Sequence, residues 1–298
     1  MTIITKSRNH LTRRDFMRGT AAGAVGGVVV GAAGTLSASK VEQIPSQPAK
    51  KNTAEAMCAE IVNMQGHKGD TIDAYLARPT GPGLYPGVVV IHHMPGWDEG
   101  TKEIARKFAH HGYVAISPNL HFREGKGTPE ANSASVRASG GMPDDRTMGD
   151  VEGAMRYLRT RPYLNGKVGI IGYCSGGRQA YLAACSLKGI DAAADCYGGG
   201  VGAGSEGLTP RQPVDPMTLT KDLGCPLLGL FGKQDKRPSH EHVAKTEGEL
   251  KKWEKTYEFH TYDNAGHSFF TVDRSDYRPE AAVDGWDKVF QWFGKYLR

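Results

Sequence analysis

The feature that most constrains the fold is a short glycine-flanked turn, Gly172-Tyr173-Cys174-Ser175-Gly176. An apolar run, Val168 to Gly172, predicts a buried strand before it, and the segment from Gly177 to Ser186 predicts a helix after it. At such a junction the central residue stands above the sheet edge, and the two outer glycines let strand and helix approach closely. The pattern predicts a nucleophilic Cys174 whose thiolate is favoured by the helix N-terminus. The alternative is a buried cysteine in a glycine-rich strand end.

The rest of the chain alternates apolar strand patterns with amphipathic helix patterns. Strands are predicted at 60–64, 71–77, 87–92, 113–117, 168–172, 192–197, 226–231 and 257–262, and helices at 102–111, 146–161, 177–186, 240–253 and 280–296. Continuous apolar runs between helices favour a parallel sheet with helices on both faces, and the first two strands form an antiparallel hairpin at one edge. Residues 122–144 are expected to form a long loop, and residues 198–213 an insertion.

A thiol nucleophile needs a base and a group that orients the base. Asp235 follows the predicted strand that ends at Phe231, and His267 follows the one that ends at Tyr262. Both lie just past the carboxyl end of a strand, where open α/β sheets bind ligands. We therefore expect a Cys174–His267–Asp235 triad. Asp263 is an alternative acid that is nearer to the histidine in sequence.

The oxyanion of an acyl-transfer reaction needs two hydrogen-bond donors. The backbone N–H of Ser175, at the helix start, is the first candidate. The second is the N–H of Met94, in the segment His92-His93-Met94-Pro95-Gly96 that directly follows a predicted strand. The histidine pair could instead suggest a metal, but no third ligand stands at a suitable spacing, so neither a metal nor a cofactor is expected.

The N-terminal segment has the pattern of a twin-arginine export signal. Thr12-Arg13-Arg14-Asp15-Phe16-Met17-Arg18 is followed by a weakly apolar stretch to Ala38 and by small residues that could be cleaved. We expect a signal segment at 1–38, a tether at 39–57 and one folded domain at 58–298. The chain should then be exported to the periplasm, without a membrane span in its mature form. An uncleaved anchor is the alternative.

The charge distribution argues against nucleic acid as a partner. The formal net charge is +5, and four of these charges come from residues 1–38, where five basic residues face one acid: Lys6, Arg8, Arg13, Arg14 and Arg18 against Asp15. The remainder is nearly neutral and has no basic stripe to neutralise phosphates. Four of the five cysteines, Cys58, Cys185, Cys196 and Cys225, have apolar neighbours and are expected to be buried fillers.

Together these residues resemble the dienelactone hydrolase family, the carboxymethylenebutenolidases. The resemblance rests on Gly-Tyr-Cys-x-Gly-Gly at Cys174, on the spacing to Asp235 and on Ala-Gly-His-x-Phe at His267, and it covers about residues 58–298. It implies an eight-stranded α/β-hydrolase sheet and hydrolysis of a small ester or lactone through an acyl-cysteine. It also implies the triad and the two N–H donors named above.

Two positions depart from the family pattern. Type members carry a glutamate before the second oxyanion residue, where this sequence has His93, which could hold a thiolate electrostatically or contact substrate. They also bind a substrate carboxylate with two arginines. Arg123 fits the first, but the second position is Thr271, with Arg274 displaced nearby. The resemblance thus predicts the fold and nucleophile more firmly than the substrate.

Three functional hypotheses remain open. The first is a cysteine-dependent hydrolase of a dienelactone-like ester or lactone. The second is an exported carboxylesterase or thioesterase of broad specificity. The third is a non-catalytic thiol sensor that keeps the fold. The oligomeric state is not predicted.

Overall fold

The computed structural model describes residues 56–298, which form an eight-stranded sheet covered by helices. The strands are β1 (Met57–Gln65), β2 (Thr71–Pro79), β3 (Tyr85–Ile91), β4 (Val114–Pro118), β5 (Leu164–Tyr173), β6 (Ala192–Cys196), β7 (Leu227–Gly232) and β8 (Tyr257–Tyr262). The helices are α1 (Glu99–His110), α2 (Pro129–Ala138), α3 (Asp144–Arg159), α4 (Ser175–Ser186), α5 (His240–Lys252) and α6 (Pro279–Leu297). The predicted signal segment and nearly all of the predicted tether lie outside these residues.

The strand order is β1-β2-β4-β3-β5-β6-β7-β8. β1 and β2 pair antiparallel, as do β2 and β4, and every later pair is parallel. The predicted mostly parallel sheet, with an antiparallel hairpin at one edge, is therefore confirmed. Because the parallel strands share one direction, their carboxyl ends meet at one edge of the sheet, where their loops converge.

Each face of the sheet buries its own apolar core, and β3 shows why. Val89 and Ile91 point to the core that includes Met155 of α3 and Tyr181 of α4, whereas Val88 and Val90 point to the opposite core under α1 and α6. Side chains alternate between faces in a strand, so an uninterrupted apolar run suits a strand covered on both sides.

The long loop predicted for residues 122–144 is wrong in part, because α2 lies within it. Thr128 caps this helix by accepting the N–H of Ala131, and Pro129 occupies its first turn, where a missing N–H has no cost. The Ser- and Asn-containing sequence of α2 has no strong apolar periodicity. Only Ser133 and Val136 of this helix are buried. The sequence feature that could have predicted α2 is therefore the Thr128-Pro129 start, and not its apolar pattern.

Within residues 56–298, no helix is both long enough and apolar enough to cross a lipid bilayer.

Candidate active site

Cys174 occupies the tight turn between β5 and α4. Its backbone has φ 56° and ψ −121°, a left-handed conformation that non-glycine residues rarely adopt. A side chain on Gly172 would overlap the carbonyl oxygen of Gly176, and one on Gly176 would overlap the carbonyl oxygens of Ile91 and His92. The two glycines are therefore needed for strand and helix to close on each other, and the turn holds Cys174 in a strained position above the sheet edge.

His267 and Asp235 are brought together by the loops that follow β8 and β7. Nδ1 of His267 lies 2.7 Å from Oδ2 of Asp235. The Asp235 side chain is buried, and its Oδ1 accepts the backbone N–H of Arg237 at 2.8 Å. This second hydrogen bond fixes the carboxylate, so that His267 is held with Nε2 free to face a nucleophile. Asp263, the alternative acid, instead pairs with Lys233 at 2.8 Å on the surface.

The surroundings of the Cys174 sulfur favour the thiolate. Burial raises the pKa of the thiol, but hydrogen bonding from His267 and from the backbone N–H groups of Ser175 and Met94 outweighs it, so the pKa lies below its ordinary value. The pKa of His267 is raised, since hydrogen bonds and charge interactions with Asp235 and Cys174 overcome the opposite effect of burial. The two shifts describe a thiolate–imidazolium pair.

The Met94 N–H is held in place by His92, a residue to which the sequence assigned no role beyond the rejected metal. Nδ1 of His92 lies 2.8 Å from the His93 carbonyl, and the N–H of Leu120 donates to Nε2 at 3.2 Å. Burial, reinforced by the charge of His121, lowers the pKa of His92 to about 3. The neutral ring, with its proton on Nδ1, can therefore make both hydrogen bonds and tie the oxyanion loop to the segment after β4.

His93 is directed toward the start of α1. Its Nε2 lies 2.7 Å from Oδ2 of Asp98, whose Oδ1 caps the helix by accepting the N–H of Thr101. Burial raises the pKa of Asp98, but the hydrogen bonds from His93 and Thr101 bring it down to about 2. One nitrogen of the imidazole is thus engaged by an internal carboxylate, and a contact of His93 with substrate or thiolate stays a prediction.

The guanidinium of Arg123 is engaged by two carboxylates. Its guanidinium forms two hydrogen bonds to the fully buried carboxylate of Asp150, at 2.8 and 3.0 Å, and a third to Asp70 at 2.7 Å. Asp70 precedes β2, which lies three strands from β5 in the sheet. Since two carboxylates take up its donors, Arg123 stabilises the fold locally, and this placement does not support its predicted contact with a substrate carboxylate.

Tyr197, which was predicted only as the last residue of a strand, packs against His267. The two rings meet edge to face with centroids 5.1 Å apart. Tyr197 follows β6 with φ 45°, and Ser268, next to His267, has φ 63°. Strained backbone is concentrated at this site, as is common where geometry serves function. The sequence feature that could have pointed to Tyr197 is its position directly after the carboxyl end of a strand.

The described part of the chain contains no group of three or more His, Cys, Asp or Glu side chains arranged to hold a metal ion.

An elbow at the end of β5, an acid after β7 and a histidine after β8 on a twisted eight-stranded sheet define the α/β-hydrolase class. Residues 72–297 match the profile of the Dienelactone hydrolase family. The chain belongs to that family and is a hydrolase of ester or lactone substrates.

Comparison with known proteins agrees with this assignment. A Methylorubrum extorquens protein named "Putative carboxymethylenebutenolidase" is 31% identical over 86% of this chain and 87% of its own length. A Bradyrhizobium protein named "Probable 2-oxo-3-(5-oxofuran-2-ylidene)propanoate lactonase" is 31% identical over 81% of this chain and 98% of its own. The crystal structure of a "Putative Dienelactone Hydrolase" from Klebsiella pneumoniae superposes with a TM-score of 0.73 at 29% identity, covering 81% of this chain and 100% of that one.

Proposed function

We propose that the protein hydrolyses esters or lactones through a covalent acyl-cysteine at Cys174, with His267 as the acid–base and Asp235 as the residue that orients it. The observation that carries the proposal is the convergence of His267 and two backbone N–H groups on one sulfur, which holds the thiol pKa below its ordinary value despite burial. A thiolate poised beside an imidazolium is the reactive form of a cysteine nucleophile.

In the first half-reaction the Cys174 thiolate attacks the carbonyl carbon. A carbon–sulfur bond forms, and the carbonyl π electrons move to the oxygen, which the N–H groups of Ser175 and Met94 stabilise as an oxyanion. When the intermediate collapses, the ester carbon–oxygen bond breaks. The departing alkoxide takes a proton from the His267 imidazolium and leaves as an alcohol, or remains attached as a hydroxyl if the substrate is a lactone.

In the second half-reaction the now neutral His267 accepts a proton from water, whose oxygen attacks the thioester. The carbon–sulfur bond breaks, a carboxylic acid is released, and the thiolate–imidazolium pair is restored. The 2.7 Å contact with Asp235 keeps the ring in the tautomer that can perform both transfers. The lactonase name of the Bradyrhizobium relative supports a cyclic ester as one substrate form.

The decisive experiment is to trap the acyl-enzyme. The purified protein is mixed with p-nitrophenyl acetate, quenched with acid within milliseconds to seconds, and measured by intact mass spectrometry with peptide mapping. We expect one acetyl group on Cys174, formed together with a burst of p-nitrophenol, and neither in Cys174→Ala. An acetyl group on another residue, or steady turnover by Cys174→Ala, would remove the proposal. Labelling of Cys174 by iodoacetamide without ester turnover would favour a thiol sensor instead.

We also propose that the chain acts in the periplasm after twin-arginine export, on the strength of Arg13 and Arg14 before an apolar stretch. Fractionation of a Gram-negative bacterial host that expresses the full chain tests this. We expect periplasmic protein from the natural sequence and cytoplasmic protein when Arg13 and Arg14 are both replaced by Lys. Equal distribution of the two forms would count against the proposal.

A further inference from the structure

A cavity of about 310 Å³ lies directly beside the proposed site, between α1, α6 and the segment that follows His267. Its walls include Tyr173 and His93, which immediately precede the nucleophile Cys174 and the oxyanion residue Met94. Thr271 lines it as well, and its hydroxyl hydrogen-bonds that of Tyr197, the tyrosine that packs on His267. Cys174, Met94 and His267 do not line the cavity themselves. Cys174 and Met94 each follow a lining residue in the chain, and His267 is linked to the lining residue Thr271 through Tyr197.

The walls of this cavity are largely aromatic and aliphatic. Phe270 packs edge to face on Trp286 at 5.5 Å and on Tyr173 at 5.8 Å, and Val90 and Ile104 close the remaining sides. These residues also belong to, or pack against, the core under α1 and α6. Its volume is at the lower end of the range for small-molecule pockets, roughly 300–1,000 Å³. Such a lining gains free energy by burying hydrocarbon.

The charges around the cavity disfavour an anion. Three acids line it, Glu99, Glu103 and Asp273, against one lysine, Lys107. Glu99 is paired with Arg106 at 2.6 Å, which leaves Glu103 and Asp273 against Lys107. The Lys107 ammonium lies over the Trp286 ring, 4.5 Å from its centroid, where it is attracted to the π face. The imidazole of His93 is held by Asp98. A carboxylate placed here would therefore meet more negative than positive charge.

We propose that this cavity holds the acyl group of the substrate, and that the preferred substrate is an uncharged ester or lactone with an aromatic or branched aliphatic acyl group and no carboxylate. In the last respect it differs from the propanoate lactone in the name of the Bradyrhizobium relative, which shares only the cyclic ester with it. The acyl side is assigned because Tyr173 and His93 adjoin the two residues that hold the acyl carbon and its oxygen. The inference rests on the proposed function and adds the chemical class of the substrate. Position 271 agrees with it, since Thr271 brings no cation to the wall.

The test compares kcat/KM for four p-nitrophenyl esters, the acetate, butyrate, phenylacetate and hemisuccinate, in the natural protein and in two variants. Ile104→Trp fills the cavity, and Val283→Trp adds the same bulk on an exposed face of α6, where the side chain is 62% accessible. We expect the natural protein to prefer phenylacetate over hemisuccinate by roughly 100-fold, and Ile104→Trp to reduce the phenylacetate-to-acetate ratio by roughly 10-fold or more. Val283→Trp should leave that ratio unchanged.

Val272→Trp provides a second variant if Ile104→Trp does not fold. Val272 lines the cavity but is 68% accessible, so bulk there narrows the cavity without disturbing the core. A preference for hemisuccinate, or equal ratios in the natural protein and both cavity variants, would overturn the inference while leaving acyl-enzyme formation on acetate intact. A second series keeps the acetyl group and varies the alcohol part of the ester. If the cavity variants changed kcat/KM ratios in that series and not in the acyl series, the assignment of the cavity to the acyl side would be overturned. Absence of any ester turnover would instead overturn the proposed function.

Discussion

Cys174 and Cys196 lie next to each other at the ends of adjacent strands, yet their chemistry is opposite. The parallel register pairs Tyr173 with Cys196, and the N–H of Cys174 donates to the Cys196 carbonyl at 3.0 Å. Burial, reinforced by the neighbouring Asp195 carboxylate, raises the pKa of the Cys196 thiol well above its ordinary value. The pKa of Cys174 is lowered, although burial acts on it in the same direction.

The difference between the two cysteines comes from what each sulfur faces. Cys196 ends a regular strand, so its side chain points into the core under α6, among Tyr173 and Tyr197. Cys174 is one residue past the strand, in a left-handed turn, and its sulfur faces His267 and two N–H groups. Whether a cysteine in this sheet favours its thiolate therefore depends on the turn and the hydrogen-bond donors around the sulfur, and not on its depth in the protein.

The largest expected effect comes from removing each thiol in turn. Cys174→Ala should reduce kcat/KM for p-nitrophenyl acetate by roughly 10⁴-fold or more, because no other group can form the acyl-enzyme. Cys196→Ala should keep activity within about threefold and lower the free energy of unfolding by about 1 kcal/mol. Steady-state kinetics and urea unfolding measure both. Comparable activity losses in the two variants would contradict the distinction drawn between them.

Removal of the groups that distinguish Cys174 should have the next largest effect. We expect His267→Ala to reduce kcat/KM by roughly 10²–10⁴-fold, because the acid–base is lost. Asp235→Asn should cause a smaller loss, since the imidazole remains but is no longer held by a carboxylate. Lys233→Ala, which breaks only the surface pair with Asp263, is the matched control and should be silent. A Lys233→Ala loss equal to that of Asp235→Asn would contradict the separate roles given to Asp235 and to the Lys233–Asp263 pair.

The pH dependence of alkylation sharpens the comparison further. A lowered thiol pKa means that the thiolate persists to lower pH. The rate of iodoacetamide labelling at Cys174 should therefore rise with pH and level off below the ordinary value of 9.0. In His267→Ala the midpoint should move upward, because the partner that lowers the pKa is gone. Peptide mapping should find Cys196 labelled only after unfolding, and its rapid reaction in the native protein would be inconsistent with its burial.

The smallest expected effect concerns Asp195, the buried residue that precedes Cys196 in β6. Burial raises the pKa of Asp195 to about 7, because it outweighs the lowering effect of the hydrogen bond that the Gly198 N–H donates. A carboxyl with a raised folded pKa binds its proton more tightly when folded, so its contribution to stability declines as pH rises from about 4 to about 7. We compare the free energy of unfolding of Asp195→Asn with that of the natural protein. The difference, variant minus natural protein, should become more positive by roughly 1–3 kcal/mol from pH 5 to pH 8. Urea unfolding of both proteins at pH 5 and at pH 8 measures this change. A difference in free energy of unfolding that is the same at both pH values would contradict the prediction.

Most of the architecture and the central residues could be predicted from the sequence because they are encoded locally. Uninterrupted apolar runs marked the parallel strands, and the glycines around Cys174 marked the elbow, since both follow from sterics within a few residues. Asp235 and His267 were found by their positions after strand ends, because the carboxyl ends of parallel strands must converge. Helix α2 was missed because its amphipathic signal is weak.

The substrate contacts could not be predicted in the same way, because they depend on which side chains compete for each other across the fold. Arg123 was chosen by its place in a motif, but Asp150 from α3 and Asp70 from the turn before β2 take up its guanidinium. His93 likewise meets Asp98 at the start of α1. A charged side chain pairs with the nearest opposite charge, and sequence distance does not tell which one that is.

The class of fold, the turn at Cys174 and the positions of Asp235 and His267 after strand ends could be predicted from the sequence, because each depends on local backbone geometry or on the shared direction of parallel strands. The direction of the Cys174 pKa shift and the cavity near this residue follow only from the folded structure. The donors that lower the Cys174 pKa come from three separate segments, and the apolar cavity is enclosed by α1, α6 and the loop after β8. Electrostatics and enclosed volume arise from groups remote in sequence, so they exist only once the chain has folded.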